Sequence, residues 1–317
     1  MRIVFLDRDS FAPSVRLDRP GGAHEWVEHA RSAPEEVAER LAEADIAITN
    51  KAPIRQDAIA SAPRLRMIAV TATGYDCVDT AAAKARGIVV SNVTNYATET
   101  VPEHVFALIL ALRRSIVGYR ADVVAGHWQT SPSFCLLGHP IRNLAGATLG
   151  IIGAGAIGRA VQRIGAAFGM QTLLAARKGA AADGPYTAFD DVLARSDILT
   201  LHCPLTPATR NLIALPELRK MSRRPLLINT ARGGLVDEAD LVRALDEGLV
   251  SGIGFDCLSR EPPSADNPLL AVAGRANVIL TPHVAWASEE AMQALWDQSL
   301  ANIAAFLAGS PRNVVDR

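Results

Sequence analysis

Short apolar runs alternate with helix-length segments along the whole chain, and this alternation limits the possible folds more than any other feature. The apolar runs of the first part cover residues 3–6, 46–49, 67–71 and 88–91. Between them lie helix candidates such as 34–44 and 78–85. Runs of this length and composition are typical of strands that are buried on both faces. Their alternation with helices predicts a parallel sheet whose strands are joined by crossover helices.

The same pattern resumes after a long helix that we predict over residues 101–128. Six further strands are predicted, at 148–153, 172–175, 198–202, 226–230, 252–256 and 278–281. Six strands separated by helices are what a doubly wound dinucleotide-binding domain requires. A last helix, over 288–308, then has no strand of the second sheet left to cover, so we expect it to return to the first domain. The prediction is an α/β protein with two doubly wound parallel-sheet domains, of which the first is discontinuous.

The composition excludes several classes of protein. Of 317 residues, 49% are hydrophobic, and 32 basic residues face 33 acidic ones. The resulting net charge of −1 gives no basis for electrostatic binding to nucleic acid or an anionic membrane. The four cysteines are scattered without a CxxC pair, so we expect neither disulfides nor a metal site. No apolar run reaches the roughly 18 residues of a membrane span, and the first residues do not resemble a signal peptide, so we expect a cytoplasmic protein.

A glycine-rich loop follows the first strand of the second series. Gly153, Gly155 and Gly158 have the spacing GxGxxG and stand between an apolar run and an amphipathic helix candidate, 159–168. In dinucleotide-binding domains the first glycine permits a tight turn, the second lets the backbone approach the pyrophosphate, and the third lets helix and strand pack closely. The helix N-terminus adds free N–H groups that favour an anion. The loop therefore predicts dinucleotide binding.

Basic residues stand at the end of the next predicted strand. Dinucleotide-binding domains commonly have an Asp or Glu there, roughly 20 residues beyond the loop, which holds the ribose 2′-hydroxyl. This chain has Arg177 and Lys178 instead. A guanidinium leaves the ribose without an acceptor but pairs well with a 2′-phosphate, so the predicted cofactor is NADP(H) in preference to NAD(H). The alternative is that both residues are solvated charges at a strand end.

Three chemically reactive side chains follow three of the predicted strands. Arg232, Glu261 and His283 come just after the strands at 226–230, 252–256 and 278–281. Each alone has a structural explanation, as a loop stabiliser, a surface acid and a core histidine. Because the carboxyl ends of parallel strands form the ligand crevice of an open sheet, we expect the three to converge there. Together they favour an active site.

These segments resemble the D-isomer-specific 2-hydroxyacid dehydrogenase family, and the resemblance covers essentially the whole chain. The matching signatures are the loop 153–158, the stretch 229–237, Glu261-Pro-Pro and Pro282-His283. Within the family, the stretches most similar to the glycerate dehydrogenase branch, which reduces hydroxypyruvate and glyoxylate, are 44–51, 140–146 and 283–292. Arg177 departs from the family pattern, since many members carry Asp there and use NAD. The resemblance implies a Rossmann cofactor domain, 100–284, inserted into a discontinuous flavodoxin-like substrate domain, 1–99 and 285–317.

The resemblance also implies a reaction, in which a small 2-oxo acid is reduced to the D-2-hydroxy acid. Arg232 would bind the substrate carboxylate with its planar fork of donors and polarise the 2-oxo group. His283 would donate a proton to the carbonyl oxygen, and Glu261 would hold the other ring nitrogen of His283. Hydride transfer itself belongs to the nicotinamide.

Further contacts to cofactor and substrate are expected around this centre. Asp256 would face the carboxamide of the nicotinamide. The other cofactor contacts are expected at Val101, Ala156, Ile157, Cys203, Pro204, Thr230, Ala231 and His283. The substrate is expected to contact Thr73 and Gly74, through backbone N–H groups, and Trp286, which would form a wall beside His283 or serve only in packing.

Two other kinds of function are compatible with the same residues. Some relatives of the family act as NAD(H)-sensing corepressors with the same three residues, and formate and phosphite dehydrogenases share the architecture. We also expect a homodimer formed through the cofactor domains, because the long helix over 101–128, with apolar runs such as 105–112, carries more apolar surface than one small sheet needs, and resembling proteins pair this region.

Overall fold

The computed structural model describes residues 1–315. They divide into two compact units. The first comprises Met1–Ala97 together with the chain from Ala287 onward, and the second comprises Thr98–Trp286. The predicted boundaries, after residues 99 and 284, lie within two residues of these divisions. The assignment of substrate and cofactor to the two units remains a prediction.

The described residues contain twelve strands, eleven α-helices and two short 3-10 helices, Arg8–Ser10 and Pro34–Glu36. The strands are β1 (Arg2–Phe5), β2 (Glu25–Glu28), β3 (Ile46–Thr49), β4 (Met67–Val70), β5 (Val89–Ser91), β6 (Thr148–Ile152), β7 (Gln171–Ala175), β8 (Tyr186–Thr187), β9 (Ile198–Leu201), β10 (Leu226–Asn229), β11 (Gly252–Phe255) and β12 (Val278–Leu280). The helices are α1 (Val37–Leu41), α2 (Gln56–Ser61), α3 (Thr80–Ala85), α4 (Thr100–Arg113), α5 (Ile116–Val124), α6 (Ala156–Ala167), α7 (Phe189–Arg195), α8 (Leu215–Leu218), α9 (Glu238–Asp246), α10 (Pro268–Val272) and α11 (Glu289–Leu307).

The first unit is built on a five-stranded sheet of order β2-β1-β3-β4-β5. All pairs are parallel, so crossover helices must join them. This is the flavodoxin-like order, and the predicted fold class is confirmed. The edge strand β2 escaped the sequence analysis, because its sequence Glu-Trp-Val-Glu is bounded by charges and is only half-buried.

The last long helix, α11, belongs to this first unit. The hydroxyl of Ser288 accepts a hydrogen bond from Ala291 N over 3.1 Å and caps its first turn. Trp296 is fully buried on this helix, with its ring centroid 5.3 Å from that of Phe5 on β1 and 5.5 Å from that of Phe11. An aromatic cluster of this size buries a large apolar area and fastens the C-terminal helix to the N-terminal sheet.

The second unit contains a seven-stranded parallel sheet of order β12-β11-β10-β9-β6-β7-β8. Counted within this unit from β6, the order is 3-2-1-4-5-6-7, so the direction of winding reverses between β6 and β9. Doubly wound sheets bind ligands outside the carboxyl ends of the strands at this switch point. The prediction of six strands was wrong by one, because the two-residue β8 is too short for a periodic signal. Arg232, Glu261 and His283 therefore follow the fifth, sixth and seventh strands of this sheet.

The helix predicted over 101–128 is two helices, α4 and α5. Ser115 lies between them with φ 51°, in the left-handed region that ends a helix. Its hydroxyl donates to the Pro140 carbonyl over 2.6 Å. The apolar residues around 105–112 are mostly buried within the unit, whereas the second half of the predicted helix exposes large apolar side chains such as Ile116, Val124 and Trp128.

Within residues 1–315, no helix is both long and apolar enough to span a membrane. No group of three or more His, Cys, Asp or Glu side chains in this part of the chain could hold a metal ion. The four cysteines are free thiols.

Candidate active site

The glycine loop after β6 has the close contacts that its sequence predicts. Gly153 has φ 102°, and a Cβ atom there would lie 2.5 Å from the backbone nitrogen of Cys203. A Cβ atom on Gly158 would collide with the carbonyl oxygen of Gly153, so the first turn of α6 packs directly on the loop. Nothing lies within 4 Å of the position that a Cβ on Gly155 would take. Gly153 and Gly158 are thus required by the fold, whereas Gly155 leaves an open approach to the backbone.

The N-terminus of α6 faces out of this loop. The helix begins at Ala156, three residues before the predicted amphipathic run, and its cap residue is Gly155, which has no side chain that could accept from the first N–H groups. The first N–H groups of a helix have no acceptor within it and carry a partial positive charge, which suits a pyrophosphate. The hydroxyl oxygen of Thr230, after β10, is buried with no hydrogen-bond partner among the described residues. Open backbone, a helix N-terminus and an orphaned buried hydroxyl fit a dinucleotide.

The segment after β7 carries the residues expected to contact the ribose. Arg177 is exposed, and no described residue forms a hydrogen bond or ion pair with its guanidinium. Lys178 differs, because its ammonium lies 2.9 Å from Oε1 of Glu217. The Glu217 side chain is buried, and its second oxygen accepts from Ala214 N over 3.2 Å at the start of α8. The positive charge of Lys178 is therefore largely compensated within the fold, and Arg177 is left as the cation available to a 2′-phosphate.

The loop after β10 holds Arg232 in a tight turn. The buried side chain of Asn229 donates to the Arg232 carbonyl over 2.8 Å and accepts from Ala231 N over 3.1 Å. A Cβ atom on Gly233 would collide with the backbone of Leu258 and Ser259, so only glycine allows this close approach. The half-buried Arg232 side chain donates Nη1 to the Ala231 carbonyl over 2.7 Å. A guanidinium has five N–H donors, so most of this one remains available to an anion.

Glu261 and His283 form a hydrogen-bonded pair. His283 Nδ1 lies 2.6 Å from Oε2 of Glu261, and both side chains are about one-third exposed. The other oxygen of Glu261 accepts from Leu258 N over 2.9 Å, which fixes the carboxylate. Because an ionised carboxylate can only accept, Nδ1 carries the proton of this bond. Nε2 is left as the ring atom that can exchange a proton with a ligand.

A buried carboxylate holds the loop that carries His283. The hydroxyl of Thr281 donates to Oδ1 of Asp256 over 2.6 Å, and the backbone N–H groups of Val284 and Ala285 donate to its Oδ1 and Oδ2, each over 2.9 Å. The side chain of Asp256 is 2% exposed. The structure thus shows Asp256 as an anchor of this loop; its expected contact with the nicotinamide carboxamide remains a prediction.

The remaining predicted contacts lie in several places. Trp286 donates its indole N–H to the His283 carbonyl over 3.0 Å, so its side chain stabilises the loop that carries His283. Val101 is buried in the first turn of α4, whereas Cys203 and Pro204 follow the carboxyl end of β9. Thr73 and Gly74 belong to the first unit, where the Thr73 hydroxyl is donated to the Val93 carbonyl over 2.8 Å. Only their backbone N–H groups suit the role that we expect of them.

Three residues that support the loops of Arg232 and His283 were not predicted from the sequence. Asn229 was recognised as part of a motif but not as the residue that closes the Arg232 turn. Thr281 and His104 received no role at all, although His104 Nε2 lies 3.0 Å from the Thr281 hydroxyl. The signal for Asn229 and Thr281 was present, since polar residues at the ends of buried strands need partners. Nothing in the local sequence marks His104.

The strand order, the glycine loop and the N-terminus of α6 define a dinucleotide-binding domain, with an Arg-Glu-His set in the loops after adjacent strands. The family model "D-isomer specific 2-hydroxyacid dehydrogenase, NAD binding domain" matches residues 106–285. A glycerate dehydrogenase of Methylorubrum extorquens is 50% identical over 99% of both chains. A hydroxypyruvate reductase of Blautia hydrogenotrophica is 39% identical over 100% of both. The chain belongs to the D-isomer specific 2-hydroxyacid dehydrogenase family. It is an NAD-binding oxidoreductase of 2-hydroxy and 2-oxo acids.

The solved structures agree with this assignment. An acyclic imino acid reductase in complex with NADPH and D-Arg is similar over 100% of both chains, with a TM-score of 0.82 and 30% sequence identity. The described fold is therefore shared along the whole length of a cofactor-bound protein.

Proposed function

We propose that this enzyme reduces small 2-oxo acids, hydroxypyruvate to D-glycerate and glyoxylate to glycolate, with His283 as the proton donor and Arg232 as the carboxylate anchor. The 2.6 Å bond between His283 and Glu261, on a loop held by a buried carboxylate, is the observation that carries the proposal. The names of the relatives, a glycerate dehydrogenase and a hydroxypyruvate reductase, support the choice of substrate.

Each proposed role follows from the geometry of its residue. Arg232 offers several N–H donors on a rigid turn, so it can bind a carboxylate through two parallel bonds and withdraw electron density from the 2-oxo group. The nicotinamide, when bound, supplies the hydride. His283 transfers the proton on Nε2 to the carbonyl oxygen, and Glu261 stabilises the ring through Nδ1. In the reverse direction His283 accepts the proton of the hydroxyl.

The substrate contacts expected beyond this centre are also part of the proposal. The backbone N–H groups of Thr73 and Gly74 would bind the substrate carboxylate, and Trp286 would restrict the side chain of the substrate. A tryptophan that is tied to the His283 carbonyl has little freedom to move aside. We therefore expect small 2-oxo acids to be preferred over branched or aromatic ones.

A panel of 2-oxo acids, assayed with both NADH and NADPH, tests the reaction and the substrate together. Hydroxypyruvate and glyoxylate should give the highest kcat/KM. Hydroxypyruvate should yield D-glycerate, and glyoxylate should yield glycolate, which has no stereocentre. A higher kcat/KM for phenylpyruvate would refute the substrate assignment. Absence of turnover with every 2-oxo acid, together with tight binding of the dinucleotide, would favour a sensing role instead.

The cofactor proposed is NADPH in preference to NADH. Arg177 is exposed at the end of β7, without a partner among the described residues and without a carboxylate in the position where NAD-dependent domains have one. The imino acid reductase that shares the fold was solved with NADPH. A guanidinium that is free to turn toward a 2′-phosphate supports the same preference here.

The proposed assembly is a homodimer, formed through the second half of the helix predicted over 101–128 and the segment that follows it. The segment 116–141 carries large exposed apolar side chains, including Phe134 at 90%, Leu137 at 82% and Val124 at 73%. Patches of this kind on a chain otherwise well packed mark protein contacts. Light scattering should give about twice the 33.7 kDa chain mass, and Leu137→Glu should shift it toward the monomer. A wild-type monomer at micromolar concentration would exclude the dimer.

A further inference from the structure

A second histidine lies at the far end of the hydrogen bonds that hold the His283 loop. His104 is on α4, which packs against β10, β11 and β12. Its Nε2 atom lies 3.0 Å from the hydroxyl of Thr281 and 3.7 Å from Oδ1 of Asp256. His104 is half-buried and touches neither the glycine loop nor the His283–Glu261 pair through any hydrogen bond of the described residues.

The direction of these bonds follows from the donors available. A carboxylate only accepts, so the single proton of the Thr281 hydroxyl is donated to Asp256 over the 2.6 Å bond. The same hydroxyl oxygen must then accept from His104, whose Nε2 carries a proton. The result is a directed chain that runs from His104 through Thr281 to Asp256.

This chain acts on the backbone of the residue that we propose as the proton donor. Asp256 binds the loop before His283, through Thr281, and after it, through Val284 and Ala285. His283 itself has φ 56°, a conformation that costs a non-glycine residue free energy and persists only when its surroundings impose it. The bonds to Asp256 hold the loop on both sides of this strained residue.

We propose that His104 and Thr281 are positioning residues for His283, an inference that rests on the proposed function. They fix the loop so that the imidazole lies within proton-transfer distance of the carbonyl oxygen. His104 is held in place because its helix packs against three strands of the sheet. Its hydrogen bond orients the Thr281 hydroxyl, which in turn donates to Asp256. Neither residue needs to touch substrate or cofactor.

The first test compares Thr281→Val with Thr281→Ser. Valine keeps the volume but loses the hydroxyl, so we expect kcat to fall by about 100-fold, the effect of displacing a reacting group by roughly 1 Å. The dissociation constant of the dinucleotide, measured by fluorescence titration, should not change. Serine restores the hydroxyl and should restore most of kcat. The matched control is Thr148→Val. Thr148 is a buried threonine at the first position of β6, at the end of the strand away from the glycine loop, and the variant should keep wild-type kcat.

The second test asks whether His104 acts through Thr281. His104→Leu should lower kcat, and His104→Gln, which keeps an N–H donor near Nε2, should recover much of the loss. In the Thr281→Val background, His104→Leu should have little further effect, because the chain is already broken. Independent, additive losses in the double variant would overturn the proposed chain. If Thr281→Val fails to fold, the His104 pair decides the question alone.

His283→Ala separates this inference from the proposed function. Near-normal turnover of His283→Ala would remove the function on which the inference depends. If His283→Ala is inactive while Thr281→Val and His104→Leu both retain wild-type kcat, the proton donor stands and the positioning role is refuted. A solvent deuterium isotope effect on kcat should rise in Thr281→Val, since proton transfer becomes slower; an unchanged effect with a lowered kcat would indicate a merely structural role.

Discussion

The carboxyl edge of the seven-stranded sheet has two regions that are built in opposite ways. The reaction end, formed by the loops after β10, β11 and β12, ties its residues to buried partners: Asn229 closes the Arg232 turn and Asp256 holds the His283 loop. The ribose end, residues 176–180 after β7, is mostly exposed. There Arg177 has no described partner, and Lys178 is paired with Glu217.

This difference indicates how each region can vary. Proton transfer requires a reacting atom to be placed within hydrogen-bond distance, so the side chains of the reaction end need preorganised support. Recognition of a 2′-phosphate needs only a cation within reach, and an exposed arginine satisfies that without neighbours. Substitutions should therefore be severe at the reaction end and graded at the ribose end.

The largest effect is expected for His283→Ala. Removal of the proton donor should lower kcat by about 10²- to 10⁴-fold, the usual contribution of general acid–base catalysis. Steady-state kinetics gives kcat, and fluorescence titration should show unchanged dinucleotide binding, because the glycine loop is intact. Turnover close to wild type would mean that the reaction end does not hold the acid.

Arg232→Lys should follow, with kcat/KM lowered by about 100-fold, expressed in both kcat and KM. An ammonium cannot reproduce the two parallel bonds of a guanidinium, so the carboxylate would be misplaced as well as more weakly bound. Arg243→Lys, in an exposed ion pair with Glu247 on α9, is the matched control and should keep wild-type kinetics. Equal behaviour of the two variants would contradict the anchor role.

At the ribose end, Arg177→Asp should reverse the cofactor preference. Loss of a charge-assisted bond of about 1.5–3 kcal/mol corresponds to about 10- to 150-fold in affinity for NADPH. The new carboxylate should spare or improve NADH use, since it can accept from the ribose hydroxyls. The measurement is kcat/KM for both cofactors, and an unchanged ratio would show that Arg177 does not contact the ribose.

Lys178→Ala should have the smallest effect, although the two basic residues are adjacent. Its ammonium is compensated by Glu217, and an ion pair with a partly exposed partner contributes about 0.2–1 kcal/mol. We expect the NADPH/NADH ratio of kcat/KM to change by less than about 5-fold. A loss as large as that of Arg177→Asp would show that Lys178 leaves Glu217 when the cofactor binds.

Features that a few neighbouring residues encode could be predicted from the sequence, and features that depend on distant residues could not. The two parallel sheets and ten of their twelve strands were predicted, because apolar periodicity is a local property of the chain. The strands β2 and β8 were missed, since one is bounded by charges and the other has two residues. The break at Ser115 was also missed, because no glycine or proline marks it.

The family and the glycine loop are recognisable within a few consecutive residues, and for the same reason the sequence alone predicts the three candidate reactive side chains. Only the tertiary structure decided which partner each polar group has. His104 meets a threonine 177 residues further along the chain, and the ammonium of Lys178 is paired with the carboxylate of Glu217. Such pairs depend on which loops converge when the sheet forms, and buried polar groups must find their partners there.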